Sequence, residues 1–586
     1  MRRFPLTLIA AFGIFAALSG AAEKPNIVLI FTDDHGWPDI GAAGVYDDLK
    51  TPHIDQLAAD GVWATNGYVT APQCVPSRAG LLSGRSQNRF GVEGNGHSLE
   101  GFDSQMTIAE RLKTAGYATG QIGKWHLGAN KNITDHGFDD VYSKNVNQPC
   151  FANFTHAGET VEMGMIDDKM FHIDACSEAA LSFIRRHEKE PFFLYLAYRA
   201  PHVPLDATKK HLDRFPGEMP ERRRQALAMI AAMDDGVGAI RKELQERGLE
   251  KNTLIFFIGD NGAPLKIHKT DAPGGGPGWD GSLNKPMNGE KGMLAEGGIR
   301  VPFVMAWPGK IPAKQVIDHP VWSLDIAATA VEIAGLPKDD KLDGVNLIPW
   351  LSGEQPTAPE RVLHWRWIAQ AAIRDGKWKL LRGGAREYLF DLEADPGEMK
   401  NLLAEKPDIA SKLRAQLGSW AEDMQPPGLE TKSMAKTWED YFDHYLEHKP
   451  VGKPKPRPVD GASVKGWIVR NAKLESRGGA LLVKANGKQA PFLVLQRASL
   501  KGEFSAKVRL KAAGSGRVGI ATRTAKQKDF TAPVTVPFTG SADWQDVEVK
   551  VPSEDEVIHL RVLLPEGDSA VRSITLGTKT WNYSKP

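Results

Sequence analysis

The chain has 586 residues, with 73 Lys and Arg against 72 Asp and Glu, 41% hydrophobic residues and three cysteines. That length exceeds what one hydrophobic core usually serves, so two or three units are expected. The ordinary apolar and charged fractions exclude a disordered chain, a fibre and a disulfide-stapled mini-protein. The near-neutral total conceals an asymmetry: residues 451–586 carry 23 basic and 12 acidic side chains, a net +11, whereas residues 1–450 carry 50 and 60, a net −10. A basic tail of this kind can hold a polyanion beside an acidic body, or dock on that body.

The chain opens with Met1-Arg2-Arg3, an apolar run from Phe4 to Leu18 and the small residues Ser19-Gly20-Ala21-Ala22. This is the pattern of a secretory signal peptide over residues 1–22, cut near Ala22, and it predicts export to the periplasm or the medium. The run is short for a membrane span, and no later stretch is long and apolar enough for one. Three cysteines in an exported chain leave one over. Cys150 and Cys176 could pair, while Cys74 stands in a context that suggests chemistry.

From residue 23 to about 350, short apolar runs (Asn26–Phe31, Ala118–Ile122, Phe192–Tyr198, Leu254–Ile258, Val301–Ala306) alternate with amphipathic segments such as Met106–Ala115 and Glu221–Arg247. Strand alternating with helix predicts an α/β fold with a doubly wound, mainly parallel sheet. Residues 351–448 read as a small antiparallel subdomain with one helix, Ile409–Met424, packed on it. Residues 449–460, rich in Pro and Lys, form a stiff solvated linker. Short alternating runs over 461–586 predict an appended all-β sandwich of the jelly-roll kind, a sugar-binding module or a structural one. Its Trp467, Trp544 and Trp581 are either core or stacking platforms.

Strands of a parallel sheet end on one edge, and ligands bind in the crevice beyond their carboxyl ends. The first strand runs into Asp33-Asp34 and the fourth into Gly259-Asp260-Asn261. Two acidic clusters with oxygen donors suit a hard divalent cation, and Ca²⁺ better than Zn²⁺. The other two strands lead to Gly123-Lys124-Trp125-His126 and to Arg199-Ala200-Pro201-His202. Imidazoles that move protons and lysines that hold anions complete a crevice suited to a tetrahedral oxyanion ester. In Cys74-Val75-Pro76-Ser77-Arg78, Ser77 is expected to cap a helix starting near Arg78, presenting backbone N–H groups to an anion beside Cys74.

These residues resemble the formylglycine-dependent sulfatases of the alkaline-phosphatase-like superfamily. Cys74-Val75-Pro76-Ser77-Arg78 has the Cys-x-Pro-x-Arg pattern that a dedicated maturation enzyme recognises in that family to convert the cysteine into formylglycine. Gly123–Gly128 is similar to the second signature, Glu290-Lys291-Gly292 to the lysine segment, and Leu389–Pro396 to the C-terminal subdomain. The resemblance spans residues 24 to about 430 and does not cover the tail. It implies that Asp33, Asp34, Asp260, Asn261 and the converted Cys74 bind Ca²⁺, and that Arg78 stabilises the hydrated formylglycine. It also implies that Lys124 and Lys291 hold the sulfate, that His202, with Lys291, protonates the leaving oxygen, and that His126 takes the proton that lets the aldehyde reform.

Arg89, Asn95 and His97 follow the nucleophile segment, and the Gly/Pro-rich stretch Ala263–Asn288 is long enough to overhang the crevice. Arg89 and His97 are therefore candidate substrate-binding residues. Export and a basic β-sandwich point to a sulfated polysaccharide or oligosaccharide. The alternatives are a phosphoesterase or phosphonate hydrolase of the same superfamily, or a non-catalytic protein that binds sulfated glycan. The tail has no recognisable nucleic-acid-reading motif.

Overall fold

The computed structural model describes residues 24–267, 279–425, 436–450, 463–464, 466–487, 489–524, 527 and 529–583. The expected signal peptide, most of the expected Pro/Lys linker and the middle of the Ala263–Asn288 stretch lie outside the described residues. The chain divides into two compact units, Met1–Val451 and Gly452–Pro586.

The first unit is built on a ten-stranded sheet. Its order is Gln315–Ile317, Val62–Ala64, Phe303–Ala306, Thr253–Gly259, Asn26–Asp33, Phe192–Pro201, Ala118–Gly123, Asp140–Ser143, Cys150–Phe154, Thr160–Ile166. The central strands pair in parallel. Phe303–Ala306 runs antiparallel to both neighbours, and the Cys150–Ile166 hairpin extends the far edge antiparallel.

The central strand shows why the sheet is covered on both faces. Val28 and Ile30 enter one core with the helices His172–Arg186 and Glu221–Glu246. Ile27, Leu29 and Phe31 enter a second core with Cys74–Ser83, Ile108–Thr114 and Asp325–Ile333. Alternate side chains point to opposite faces, so a continuous apolar run is what a sheet buried on both sides requires. Helix Ile108–Thr114 starts in a capping box, in which Thr107 accepts from Glu110 N and the Glu110 side chain accepts from Thr107 N.

A four-stranded antiparallel sheet follows, with strands Val362–Trp367, Gln370–Asp375, Trp378–Gly383 and Arg386–Asp391 in sequence order. Helix Pro407–Glu422 lays Ala410, Leu413 and Leu417 on Ala371, Ile373, Leu380 and Leu389. Among the described residues no helix is long and apolar enough to cross a membrane.

The second unit is a β-sandwich of two sheets around one core that contains Trp467, fully buried and 5.4 Å edge-on to the half-buried Trp581. Trp467 is thus a core residue. Trp544 stands half exposed on Ser541–Val551.

Candidate active site

Four parallel strands end on one edge, and each delivers a functional group there. Strand Asn26–Asp33 ends in Asp33 and Asp34, with Asp34 turning the chain in the left-handed region at φ 60°, which Asp tolerates better than most residues. Strand Thr253–Gly259 leads into Asp260 and Asn261. Asp260 N donates to Thr32 O at 2.8 Å, Asp34 N donates to Asp260 Oδ1 at 3.0 Å, and Asn261 Nδ2 donates to Asp34 Oδ1 at 2.7 Å. All four side chains are buried.

Strand Ala118–Gly123 places Lys124 by a close approach. Gly123 has φ 90°, and a Cβ there would lie 2.1 Å from Ala197 O, so only glycine fits. Lys124 N then donates to Ala197 O at 2.7 Å, and its ammonium pairs with Asp33 Oδ2. His126, two residues on, is exposed at the crevice and in the left-handed region at φ 63°. His202, after strand Phe192–Pro201, sets Nε2 3.5 Å from Asp34 Oδ2, and its Nδ1 lies 2.6 Å from Val203 O.

The helix carrying Cys74 begins four residues earlier than its sequence suggests. It spans Cys74–Ser83 with Gln73 at its N-cap, and Ser77 lies inside it, donating N to Gln73 O at 3.1 Å. The expected Ser77 cap is therefore replaced by an extended Gln73. Pro76 is accommodated because the first helical turn has no intrahelical use for its missing N–H. Cys74 Sγ donates to Asp33 Oδ1 at 3.2 Å, and Lys291 Nζ donates to it at 3.3 Å. Lys291 Nζ also lies 2.5 Å from Asp34 Oδ1. Arg78, one turn along the helix, donates Nη2 to Asp260 Oδ2 at 2.8 Å and Nη1 to Tyr195 OH at 3.1 Å and Lys124 O at 3.2 Å, with Phe31 below its guanidinium.

Burial alone would raise the pKa of Asp33, but Lys124, His202, Arg78 and Lys291 outweigh it and hold the group well below the usual carboxylate range. Asp34 is likewise lowered against its burial, chiefly by Lys291 and His202. The Cys74 thiol is pushed up by burial and by Asp260 and Asp33. The two imidazoles are pushed down: His126, part of whose surface stays exposed, by desolvation of the covered part and by Lys124 and Arg78, and His202 by burial, against the pull of Asp33 and Asp34.

The donor set fits a hard cation. Asp33, Asp34, Cys74 and His202 present ligand atoms within 4.8 Å of one another. Asp34 Oδ2 and Asn261 Oδ1 are buried acceptors with no hydrogen-bond donor. Leaving such oxygens unpaired is costly, and a divalent ion taking oxygen ligands would satisfy both.

Of the two expected substrate residues, His97 sits beside the start of the Cys74 helix. Its Nδ1 accepts from Glu93 N at 3.2 Å, and its loop is tied down where Asn95 Oδ1 accepts from Val75 N. Arg89 is engaged elsewhere: Nε and Nη2 each donate to the Asp343 carboxylate at 2.8 Å, a bidentate pair that uses up its fork. Tyr195 is a site residue the sequence reading passed over. The period-2 pattern of its strand, which puts a lone hydroxyl among Phe193 and Ala197 on the buried face, was the available signal.

The doubly wound sheet gathers beyond its strand ends an Asp–Asp pair, an Asp–Asn pair, two lysines, two histidines and a helix-borne cysteine, and similarity to known proteins puts this arrangement in the alkaline-phosphatase-like superfamily. The sulfatase family model matches residues 25–336, and the model for the C-terminal part of N-sulphoglucosamine sulphohydrolase matches residues 289–423. The chain is 33% identical over 408 residues to N-acetylgalactosamine-6-sulfatase of Mus musculus, covering 64% of this chain and 74% of that protein. It is 28% identical over 495 residues to N-acetylgalactosamine-6-O-sulfatase of Bacteroides thetaiotaomicron, covering 68% and 93%. The crystal structure of Ps i-CgsB in complex with k-i-k-neocarrahexaose superposes with TM-score 0.61 at 28% identity, covering 74% of this chain and 98% of that one. The chain therefore belongs to the sulfatase family and is a sulfuric ester hydrolase.

Proposed function

We propose that the protein is an exported sulfatase that removes sulfate esters from a sulfated polysaccharide or oligosaccharide, with Cys74 converted to formylglycine and Ca²⁺ at the acidic strand ends. The observation that carries this reading is the convergence on Cys74 of Asp33 at 3.2 Å and Lys291 at 3.3 Å, at the start of a helix. An unmodified thiol there is a poor nucleophile, because burial and two carboxylates disfavour its thiolate. Formylglycine, made by a maturation enzyme, would supply an aldehyde whose hydrate offers a nucleophilic oxygen at neutral pH. Ca²⁺, held by Asp33, Asp34, Asp260 and Asn261 together with residue 74, would supply charge to a sulfate oxygen.

The protein's own side chains do the rest. Lys124 and Lys291 hold the sulfate oxygens, and Arg78 fixes the oxygen at residue 74. His202 acts as the imidazolium, which Asp33 and Asp34 favour against burial: Nδ1–H donates to Val203 O, and the Nε2 proton passes to the leaving sugar oxygen. His126, after the neighbouring parallel strand, takes the proton that releases sulfate. His97, beside the helix start, contacts the sugar.

The carbohydrate substrate is supported by the similarity to N-acetylgalactosamine-6-sulfatases and by a neighbouring structure complexed with neocarrahexaose. Residues 1–22 act as the signal peptide. The body comprises a catalytic domain over 23–350 and a subdomain over 351–448, joined through a linker at 449–460 to the sandwich at 461–586. The test is sulfate release from a panel of sulfated oligosaccharides, alongside an aryl sulfate and an aryl phosphate, with Cys74→Ala as control. Release from one sugar class, lost in the control, supports the reading. Hydrolysis of the phosphate ester alone, or no release by protein confirmed to carry formylglycine, overturns it.

A further inference from the structure

The sandwich carries a cation cluster that its own fold does not neutralise. On the outer face of the sheet ordered Ala472–Arg477, Ala480–Ala485, Ser569–Leu576, Phe504–Ala512, Ser541–Val551, charged pairs normally meet across strands. Lys507 lies 3.4 Å from Glu548 and Arg509 lies 3.3 Å from Asp546. The pattern breaks one step further on. The register of Phe504–Ala512 against Ser541–Val551 shifts between Leu510 and Ala512, so Lys511 has no partner in the ladder; the bulge Ala542-Asp543-Trp544 lies opposite it, and Lys511 meets the Trp544 ring rather than a carboxylate.

Lys511 Nζ stands 5.1 Å from the Trp544 ring centroid, and the Arg572 guanidinium, from the next strand, 4.2 Å from it. Arg572 Nε is buried without a hydrogen-bond partner. Register continues the row: Lys511 pairs with Ala570 and Ala570 with Leu482, which places Lys484 on the same face. Lys484 in turn faces Lys473 directly across the strand pair, an arrangement of like charges that costs stability unless something anionic lies over it. Among the described residues none of Lys473, Lys484, Lys511 or Arg572 has a carboxylate partner. Two acids border the row: Asp568 accepts from Ala485 N at 2.9 Å, and Glu475 stands on the same face opposite Leu482.

A cavity of about 300 Å³ lies at the Lys484 and Lys511 part of this row, lined by Leu482, Lys484, Lys511, Ser541, Asp568 and Ala570. Leu482 and Ala570 give it apolar surface, Lys484 and Lys511 bring two positive charges, and Asp568, tied to Ala485 N, brings one negative charge. Four adjacent strands span about 14 Å at their usual spacing.

We propose that this face is a binding site for a sulfated polysaccharide chain, separate from the catalytic crevice. Arg572, steadied on Trp544, offers a planar fork that fits a sulfate half-ester, and Lys484 and Lys511 meet further sulfates along the row. The apolar surface takes the C–H face of a sugar. The occupant is argued from charge complementarity: the tail carries a net +11 on a chain whose body is acidic. The inference rests on the reading of the enzyme as a polysaccharide sulfatase. A tethered site of this kind raises the local concentration of substrate at the enzyme.

The test uses the full-length chain bearing Cys74→Ala, so that bound polymer is not consumed, in affinity electrophoresis against a sulfated polysaccharide, its desulfated form and duplex DNA at 0.15 M salt. K484A/K511A/R572Q, in which Gln keeps a stem over Trp544, is compared with K501A/R517A/K550A, which removes the same charge elsewhere in the sandwich. The expected result is at least tenfold weaker retention for the first triple, within twofold of wild type for the second, and no retention by the desulfated polymer. Equal weakening in both triples, unchanged retention in the first, or equal retention by DNA overturns the site. Matched enzymes with native Cys74 should keep their kcat/KM on a small sulfated monosaccharide. If wild type releases no sulfate from any sugar, the catalytic reading falls, while retention still decides the site.

Discussion

Arg78 Nη2 and Asp260 Oδ2 form a 2.8 Å ion pair in which neither side chain reaches solvent. The pair joins the helix that carries Cys74 to the end of strand Thr253–Gly259. Arg78 also stands 4.0 Å from Asp33 Oδ1, so one guanidinium offsets two buried carboxylates. The consequences are visible in the acids: Asp33 stays ionised, while burial and the charge of Asp33 hold Asp260 up.

Removing the guanidinium should cost more than the pair is worth. Arg78→Met leaves two buried carboxylates without their shared counter-charge, and is expected to lose about 3–5 kcal/mol of stability. Arg78→Lys keeps the charge but gives up the fork that serves Asp260, Tyr195 and Lys124 O together, and should lose about 1–3 kcal/mol. Urea unfolding at pH 7.5 measures both. Equal stability of the two variants would mean that the fork contributes nothing.

Cys74 as a thiol is buried and held protonated by its surroundings. Protein produced without a formylglycine-generating enzyme should therefore fold normally, release no sulfate, and leave residue 74 unmodified when the native chain meets iodoacetamide. Protein matured by that enzyme should show the peptide mass loss that replacing CH2–SH by an aldehyde requires, together with activity. Mass spectrometry of the peptide spanning residue 74 makes the comparison. Rapid alkylation of native Cys74 would contradict the burial argument.

The cation prediction rests on two orphaned oxygens, Asp34 Oδ2 and Asn261 Oδ1. Chelation should abolish activity and lower the melting temperature, and Ca²⁺ should restore both. At a free Ca²⁺ concentration one hundred times its Kd, the ion contributes about 2.7 kcal/mol. Asn261→Ala should weaken Ca²⁺ binding with little loss of fold, because its amide makes only one hydrogen bond beyond its own neighbour, to Asp34 Oδ1. Elemental analysis should return one calcium per chain; two zincs would point to the phosphoesterase alternative instead.

What could be read from the sequence was whatever is local. The strands Asn26–Asp33, Phe192–Pro201 and Thr253–Gly259 follow from apolar runs of strand length, and the acidic and basic groups at their ends follow from where those runs stop. Strand direction leaves no such trace, which is why the antiparallel Cys150–Ile166 hairpin was not foreseen. Partners distant in the chain are equally silent. Arg89 looked free to meet substrate because Asp343 lies 254 residues away. Lys379, fully buried between Glu296 and Glu398 at 2.7 and 2.9 Å, was missed for the same reason. The cap at Ser77 was misread because Ser is the commoner N-cap, and nothing local marks Gln73 as extended.

Glu290, the chain neighbour of Lys291, carries a pH prediction of its own. It is fully buried, accepts from Lys266 N at 2.7 Å and Tyr445 OH at 3.1 Å, and burial pushes its pKa up to about 7 against these bonds. An unfolded Glu titrates near 4.3, so between about pH 4.3 and 7 the folded chain binds more protons at this position than the unfolded one. Stability from Glu290 is therefore greatest below that range, is lost as pH rises through it and is flat above. Glu290→Gln keeps an acceptor of the same shape without the charge. The stability of E290Q relative to wild type should rise between pH 5 and pH 8, by about 3 kcal/mol at most. Urea midpoints of the two proteins at both pH values decide it: a difference that does not change with pH, or that moves toward wild type on the alkaline side, would show that Glu290 is ionised in the fold across the whole range.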